Sequence, residues 1–230
     1  MSEQKKNGIP QMGPDTGNYW CTWDTQFRVN SVEDGKDTKN LRNVLTQDFL
    51  FAEDGMLRNY LKNVRQDLYV LLDDGWDVGK DVPGNGAVSV FGSLVLDSDK
   101  FPDFTGEPWE RLTKLRCKLM ELGYRGLGLW ICANATGEEE AHPLSVEEAE
   151  NYWKERAIWC RKAGVDYWKV DWGYHCGDAA YREMVTRIVK QYAPDLKIEH
   201  AVCRGPLDEK VEHWKRVGKL LSISDYVRTY

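Results

Sequence analysis

The apolar residues of this chain come in short runs, and the runs alternate with segments of helical period. "DLYVLLDDGWDV" (67–78) is the clearest run, apolar from Leu68 to Leu72 and stopped by two aspartates. "YRGLGLWICA" (124–133), "VDYWKVD" (165–171), "DLKIEHAVCR" (195–204) and "LLSISDYV" (220–227) repeat the form, and "NYWCTWDTQF" (18–27) reads as a first strand before them. Between the runs the period changes. In "PWERLTKLRCKLMELG" (108–123), Leu112, Leu115, Leu119 and Leu122 share one face, Pro108 suits a first turn and Gly123 an end. "SVEEAENYWKERAIWCRKAG" (145–164) opens on a Ser145/Glu148 capping box and closes on glycine. Residues 178–193 stack Ala180, Met184 and Ile188 at four-residue spacing, 206–218 is expected to be helical, and 45–66 carries helical material broken near Gly55. Residues 28–45 and 79–107 read as polar loops, the second long enough to suggest a functional role.

Strand and helix in alternation, with every strand short and apolar, predict an α/β protein whose parallel sheet is covered by helices. Two architectures compete, an open doubly wound sheet and a (β/α)8 barrel of TIM type. No GxGxxG follows the first run, which weakens a dinucleotide fold. Polar and aromatic residues gather at the ends of the first five strands, where barrels build their sites; an open sheet would collect them at one switch point. Six strands are readable and a closed barrel needs eight. The expectation is therefore an incomplete barrel of about six βα units over residues 18–230, lacking its C-terminal part, behind a polar leader at 1–17. Open edges on the first and last strands would invite pairing with another chain, a homo-oligomer included.

Composition narrows the function classes. With 42% hydrophobic and 30% charged residues the chain fits a soluble globular protein, and a net charge of −6 offers no general attraction to nucleic acid or an anionic membrane. No apolar run is long enough to span a bilayer, and the polar start has no signal-peptide core. The cysteines at 21, 117, 132, 160, 176 and 203 are scattered without a CxxC, which argues against zinc and for reduced thiols in a cytoplasmic protein. No metal and no cofactor are expected, since the histidines at 142, 175, 200 and 213 do not cluster with acids. Ten tryptophans and eleven tyrosines stand out. Trp20, Trp23, Trp76, Trp130, Trp168 and Trp172 fall at predicted strand ends, where they serve either as core or as apolar walls for sugar rings.

The chemistry centres on "GVDYWKVDWGYHCGD" (164–178). Residues two apart in a strand face the same way, so Lys169 and Asp171 project together. A lysine steadies an ionised carboxylate, and a held, ionised aspartate is what covalent catalysis at a sugar carbon requires; the plainer alternative is a buried ion pair that satisfies only itself. Asp73 and Asp74 close the second strand beside Trp76 and face opposite ways unless the strand has already ended. They are either acceptors for sugar hydroxyls or ordinary turn residues. His175 and Cys176 follow in the loop, with a pocket role and a loop role equally open.

In chain order these pieces resemble the α-galactosidase-type, melibiase-like retaining glycoside hydrolases. "NYWCTWDTQF" looks like the family's first strand, with Trp23 as the aromatic residue flanking the sugar. "LLDDGW" is similar to its second-strand motif, implying that Asp73 and Asp74 bind hydroxyls. "YWKVDWG" is similar to its fourth-strand K-x-D motif, implying Asp171 as nucleophile and Lys169 as a hydroxyl donor. "VCRGPL" (202–207) looks like the segment that sets substrate choice, and Arg204 there departs from the acidic or small residue common in α-galactosidases, pointing to a different sugar or substituent. Arg228 matches the arginine that ends the sixth strand. The acid/base aspartate of that pattern would fall beyond Tyr230, and Asp225, on the wrong side of Arg228, is the weak candidate within the chain. The expected function is a retaining glycoside hydrolase on an α-galactoside-like or related carbohydrate, working through a glycosyl-Asp intermediate with Trp23, Trp76 and Trp130 as walls and Asp73, Asp74, Lys169, Arg204 and Arg228 as substrate ligands. Two alternatives stand beside it: a non-catalytic carbohydrate-binding barrel, and a Schiff-base lyase or aldolase using Lys169, against which the nearby Asp171 counts.

Overall fold

The computed structural model describes residues 17–29, 38–77, 93–135, 143–203 and 211–229, with 38–40, 202–203, 211–216 and 227–229 described by their backbone alone. Six strands form one sheet: β1 (Tyr19–Cys21), β2 (Tyr69–Leu72), β3 (Gly126–Ile131), β4 (Tyr167–Val170), β5 (Lys197–Cys203) and β6 (Tyr226–Thr229). They lie in the order of the sequence and every neighbouring pair is parallel. The helices are α1 (Thr22–Val29), α2 (Thr38–Val44), α3 (Gln47–Phe51), α4 (Met56–Asn59), α5 (Pro108–Glu121), α6 (Val146–Ala163), α7 (Ala179–Tyr192) and α8 (Val211–Ile223).

Strictly sequential order separates this sheet from a doubly wound one, in which the order reverses at a switch point. Curvature comes from the side chains. The Tyr19 hydroxyl of β1 reaches the Glu199 carboxylate of β5 at 3.3 Å, and the Tyr19 and Tyr167 rings lie 5.5 Å apart. Strands sit about 4.8 Å apart in a sheet, so the first could not touch the fifth unless the sheet were rolled. The result is a curled, incomplete α/β barrel of TIM type, with β1 and β6 at its two margins.

One side-chain row, with Val70, Leu72, Leu127, Leu129, Ile131, Trp168, Val170 and Ile198, is fully buried. It faces outward onto the helices, as the Trp153–Trp168 ring contact at 6.0 Å shows. Leu112, Leu115 and Leu119 of α5 and Trp153, Ala157 and Cys160 of α6 supply the other half of that layer. The alternate row turns into the curl: Tyr19, Cys21, Tyr69, Leu71, Gly128, Tyr167, Lys169 and Glu199. The caps agree with the sequence signals. Ser145 Oγ accepts from Glu148 N at 3.2 Å while Glu148 Oε2 accepts from Ser145 N at 2.9 Å, and Gly164 ends α6 in the left-handed region.

Four segments differ from expectation. The stretch 18–27 is a strand only to Cys21; α1 then takes over, because Trp23 and Phe27 recur at helical spacing and Asp24 pairs with Arg28 one turn on at 2.7 Å. The apolar residues of 220–223 are the last turn of α8, with Val217 and Leu220 buried three residues apart, and the sixth strand starts only at Tyr226. The polar segment 28–45 contains α2, and the described part of the long loop, 93–107, buries Leu94, Leu96, Phe101 and Phe104. The leader, up to residue 16, lies outside the described residues.

Candidate active site

The carboxyl ends of β1 to β4 bring a charged cluster together. Lys169 projects from β4 into the curl with its side chain 4% exposed. Its Nζ donates to Asp73 Oδ2 at 2.8 Å and lies 3.2 Å from Asp171 Oδ2. One ammonium thus bridges carboxylates that are 98 residues apart in the chain. Asp171 follows the last residue of β4, its backbone N–H still donating to Ile131 O at 2.9 Å, and its carboxylate also accepts from Trp130 Nε1 at 3.2 Å. With 18% of its side chain exposed, Asp171 is the most open member of this trio, against 4% each for Asp73 and Lys169.

The paired aspartates divide. Strand β2 ends at Leu72, and Asp73 turns to Lys169 while Asp74 turns to Arg42 of α2, which donates to both its oxygens at 2.9 Å. Burial pushes the Asp74 carboxyl up from its ordinary value, and Arg42 pulls it back. The turn is stitched by Thr22 Oγ1, which accepts from Asp73 N at 2.9 Å, and by Asp73 Oδ1, which accepts from Asp74 N at 2.8 Å. Cys21 donates to Asp73 Oδ2 at 3.0 Å; burial and then the Asp73 charge push its thiol up to about 12, so it serves as a hydrogen-bond donor and not as a thiolate.

The tryptophans take parts other than those expected. Trp76 is wholly buried, its Nε1 donating to Trp130 O at 2.8 Å, and Trp130 is wholly buried too. A ring with no exposed area has no face to offer a sugar, so both act here as structure, Trp130 through its N–H on Asp171. Trp172, half-buried, packs on Trp130 with ring centroids 5.7 Å apart, and the Arg42 guanidinium stands 5.9 Å from the centroid of the Trp172 ring. Trp23 is half-buried on α1. After Trp172 the chain reverses at Gly173, whose φ is +142°; a Cβ there would meet Ala133 N at 2.7 Å, so only glycine fits.

Asp225 does not join the cluster. Its carboxylate pairs with Lys190 near the end of α7 and accepts from Ile198 N at 2.8 Å, at the start of β5 and the opposite end of the barrel. Arg204 lies outside the described residues; Arg228 is placed only by its backbone, opposite Ala201 in β6. His175 stacks on Tyr181 at 3.8 Å and faces Asp178, and Cys176 is an exposed free thiol.

Sequence reasoning missed Cys21, Thr22 and Arg42, whose partners are set only by the curl. It also missed Arg182 and His200, for which a signal existed: Arg182 falls in phase with Val185 and Val189 on the buried face of α7, and His200 falls on the outward row of β5. An ionisable residue on an apolar face must have partners.

No family model and no curated protein matches the chain. Among solved structures it is similar to a GH27 β-L-arabinopyranosidase from Geobacillus stearothermophilus, with 16% identity and a TM-score of 0.48 over 71% of this chain and 45% of that one. It is also similar to the α-galactosidase from Saccharomyces cerevisiae solved with raffinose, with 18% identity and a TM-score of 0.48 over 82% of this chain and 35% of that one. A putative α-N-acetylgalactosaminidase from Bacillus halodurans C-125 gives 14% identity and a TM-score of 0.45 over 74% and 47%. The chain thus spans less than half the length of each of these structures. Among the described residues no helix is long and apolar enough to cross a membrane.

Proposed function

We propose that this chain carries the nucleophile half of a retaining glycoside hydrolase for an α-galactoside-like or related sugar, with Asp171 as the nucleophile. The observation that carries the reading is the Asp73–Lys169–Asp171 cluster at the carboxyl ends of parallel strands, with the middle charge buried and Asp171 the more open carboxylate. Such strand ends are where barrel enzymes act. Asp171 attacks the anomeric carbon, the C–O bond to the leaving group breaks as that oxygen takes a proton, and water then releases the sugar from the ester. Lys169 pairs with Asp171, and the Trp130 N–H orients one oxygen so that the other faces the sugar. Lys169 and Asp73 are the hydroxyl-binding pair. Asp74, held by Arg42, contributes through Arg42, and Trp23, Arg204 and Arg228 complete the substrate ligands. The proton donor lies outside the described residues. The carboxylates on either side of Lys169 weigh against a Schiff base, which needs a neutral amine.

A 2-deoxy-2-fluoro glycosyl fluoride, which traps the glycosyl-enzyme, tests the reading in a panel of α- and β-sugars. Peptide mass mapping should find one sugar on the peptide containing Asp171. An adduct on another carboxyl overturns the assignment. Sugar binding by calorimetry with no adduct and no release from aryl glycosides favours the non-catalytic carbohydrate-binding alternative.

A further inference from the structure

Behind Asp171, on the outer side of the sheet, lies a second polar group that the cluster does not use. Arg182 of α7 is 1% exposed. Its Nη1 donates to Val170 O at 2.9 Å, its Nη2 to Asp171 O at 2.5 Å and its Nε to Cys176 O at 3.0 Å. Successive carbonyls of a strand point to opposite sides. A single guanidinium that holds the carbonyls of both residues 170 and 171 therefore marks the place where the chain leaves extended geometry, one residue after β4 ends. The bond to residue 176 closes the following loop onto the same group.

The guanidinium is itself fixed. Nη1 stands 3.1 Å from His200 Nδ1 on β5, and His200 Nε2 stands 2.9 Å from Thr186 Oγ1, one turn along α7 from Arg182. An arginine only donates, so Nδ1 accepts, the ring proton sits on Nε2, and Nε2–H donates to Thr186. Burial and then the neighbouring Arg182 charge hold His200 neutral, its value lowered to about 3.

We propose that Arg182, locked by His200 and Thr186, is a positioning residue that fixes the backbone carrying Asp171 and so aims its carboxylate at the anomeric carbon. This rests on the reading of Asp171 as nucleophile. The side-chain contacts of Asp171 to Lys169 and Trp130 come from inside the curl, so loss of Arg182 leaves the carboxylate paired but lets its backbone drift. Misplacing a reacting atom by about 1 Å costs on the order of 10²-fold in rate.

The test compares the full chain with Arg182→Lys, whose single ammonium cannot span three carbonyls, and with Thr186→Val, which keeps Arg182 but frees its histidine. Aryl-glycoside kinetics and amide hydrogen exchange are measured on each. Arg182→Lys should lower kcat on the order of 10²-fold with KM within about threefold. Exchange at residues 171–178 should rise about tenfold while the amides of β3 keep their protection. Thr186→Val should show the same pattern in weaker form, about threefold in kcat, and it decides the matter if the lysine variant fails to fold. Wild-type kcat and wild-type protection of 171–178 in the variants overturn the proposal, as does a loss of protection spread evenly over the sheet. If the unaltered protein releases no sugar from any aryl glycoside, the glycosidase reading fails; the exchange comparison then still decides whether Arg182 anchors this loop.

Discussion

Two buried carboxylate clusters share the inside of the curl, and they are built in opposite ways. At the carboxyl ends of the strands, Asp73 and Asp171 lean on a lysine ammonium, and one of them keeps 18% of its side chain open. Toward the amino ends, Glu199 is 3% exposed and accepts hydroxyl protons from Tyr167 at 2.6 Å and Tyr19 at 3.3 Å. The rings of Tyr19, Tyr69, Tyr167 and Tyr226 close around that lower group, with Tyr167 and Tyr226 stacked at 5.6 Å. Burial and the Glu199 charge hold the Tyr167 hydroxyl well above its ordinary value, so it stays a donor. The upper cluster holds opposite charges, and one of its carboxylates is partly open to solvent. The lower one is sealed by aromatic rings and serves the fold. Barrels divide labour in this way, with chemistry at the carboxyl face and stability at the amino face.

Substitutions in each layer should separate activity from stability. Asp171→Asn should lower aryl-glycoside turnover on the order of 10³-fold or more while the melting temperature stays near that of the unaltered protein; retained turnover would remove Asp171 from the chemistry. Lys169→Met leaves two carboxylates facing each other without a cation and should cost about 3–5 kcal/mol by denaturant unfolding, in addition to abolishing turnover. Tyr167→Phe should destabilise by about 1–3 kcal/mol, because Glu199 loses the 2.6 Å hydrogen bond from Tyr167, while kcat changes by less than about twofold. A fall in kcat without loss of stability there would erase the division between the layers.

A pH slope arises behind the upper cluster. Between about 6.5 and about 3 the unfolded chain carries a proton on His200 that the folded chain refuses. Folding stability from this group is therefore complete above about pH 6.5 and declines as the pH falls through that window, by at most about 1.4 kcal/mol per pH unit. His200→Gln should flatten the measured stability curve by up to that slope; an unchanged slope would show that His200 takes up a proton in the folded state.

Local signals marked most elements. The leucines of α5 at helical spacing, the Ser145/Glu148 box and the apolar runs of β2 to β5 are each decided within a few residues, and the structure follows them. Boundaries failed where a short apolar run fitted both periods. Trp23 to Phe27 and Leu220 to Ile223 were read as strand, yet the chain there is helical, with Thr22, Thr25 and Gln26 on the buried face of α1 and Val217 and Leu220 on that of α8. Strand parity put Lys169 and Asp171 on one side without any knowledge of the fold. Parity could not foresee that Trp76 and Trp130 would be sealed, or that Asp225 would turn to the opposite end of the barrel with Lys190 and Ile198.

The sequence by itself determined the alternation of strand and helix, the inward pairing of Lys169 with Asp171, and the caps that end α6, because each depends on residues within a turn or two of one another. Only the tertiary structure decided that Asp73 rather than Asp74 meets the lysine, that Arg42 takes Asp74, that Cys21 is a donor, and that Arg182 holds the end of β4. Each of those contacts joins different elements of the chain. The curl of the sheet fixes the distances between them, and no local pattern of residues encodes a distance across it.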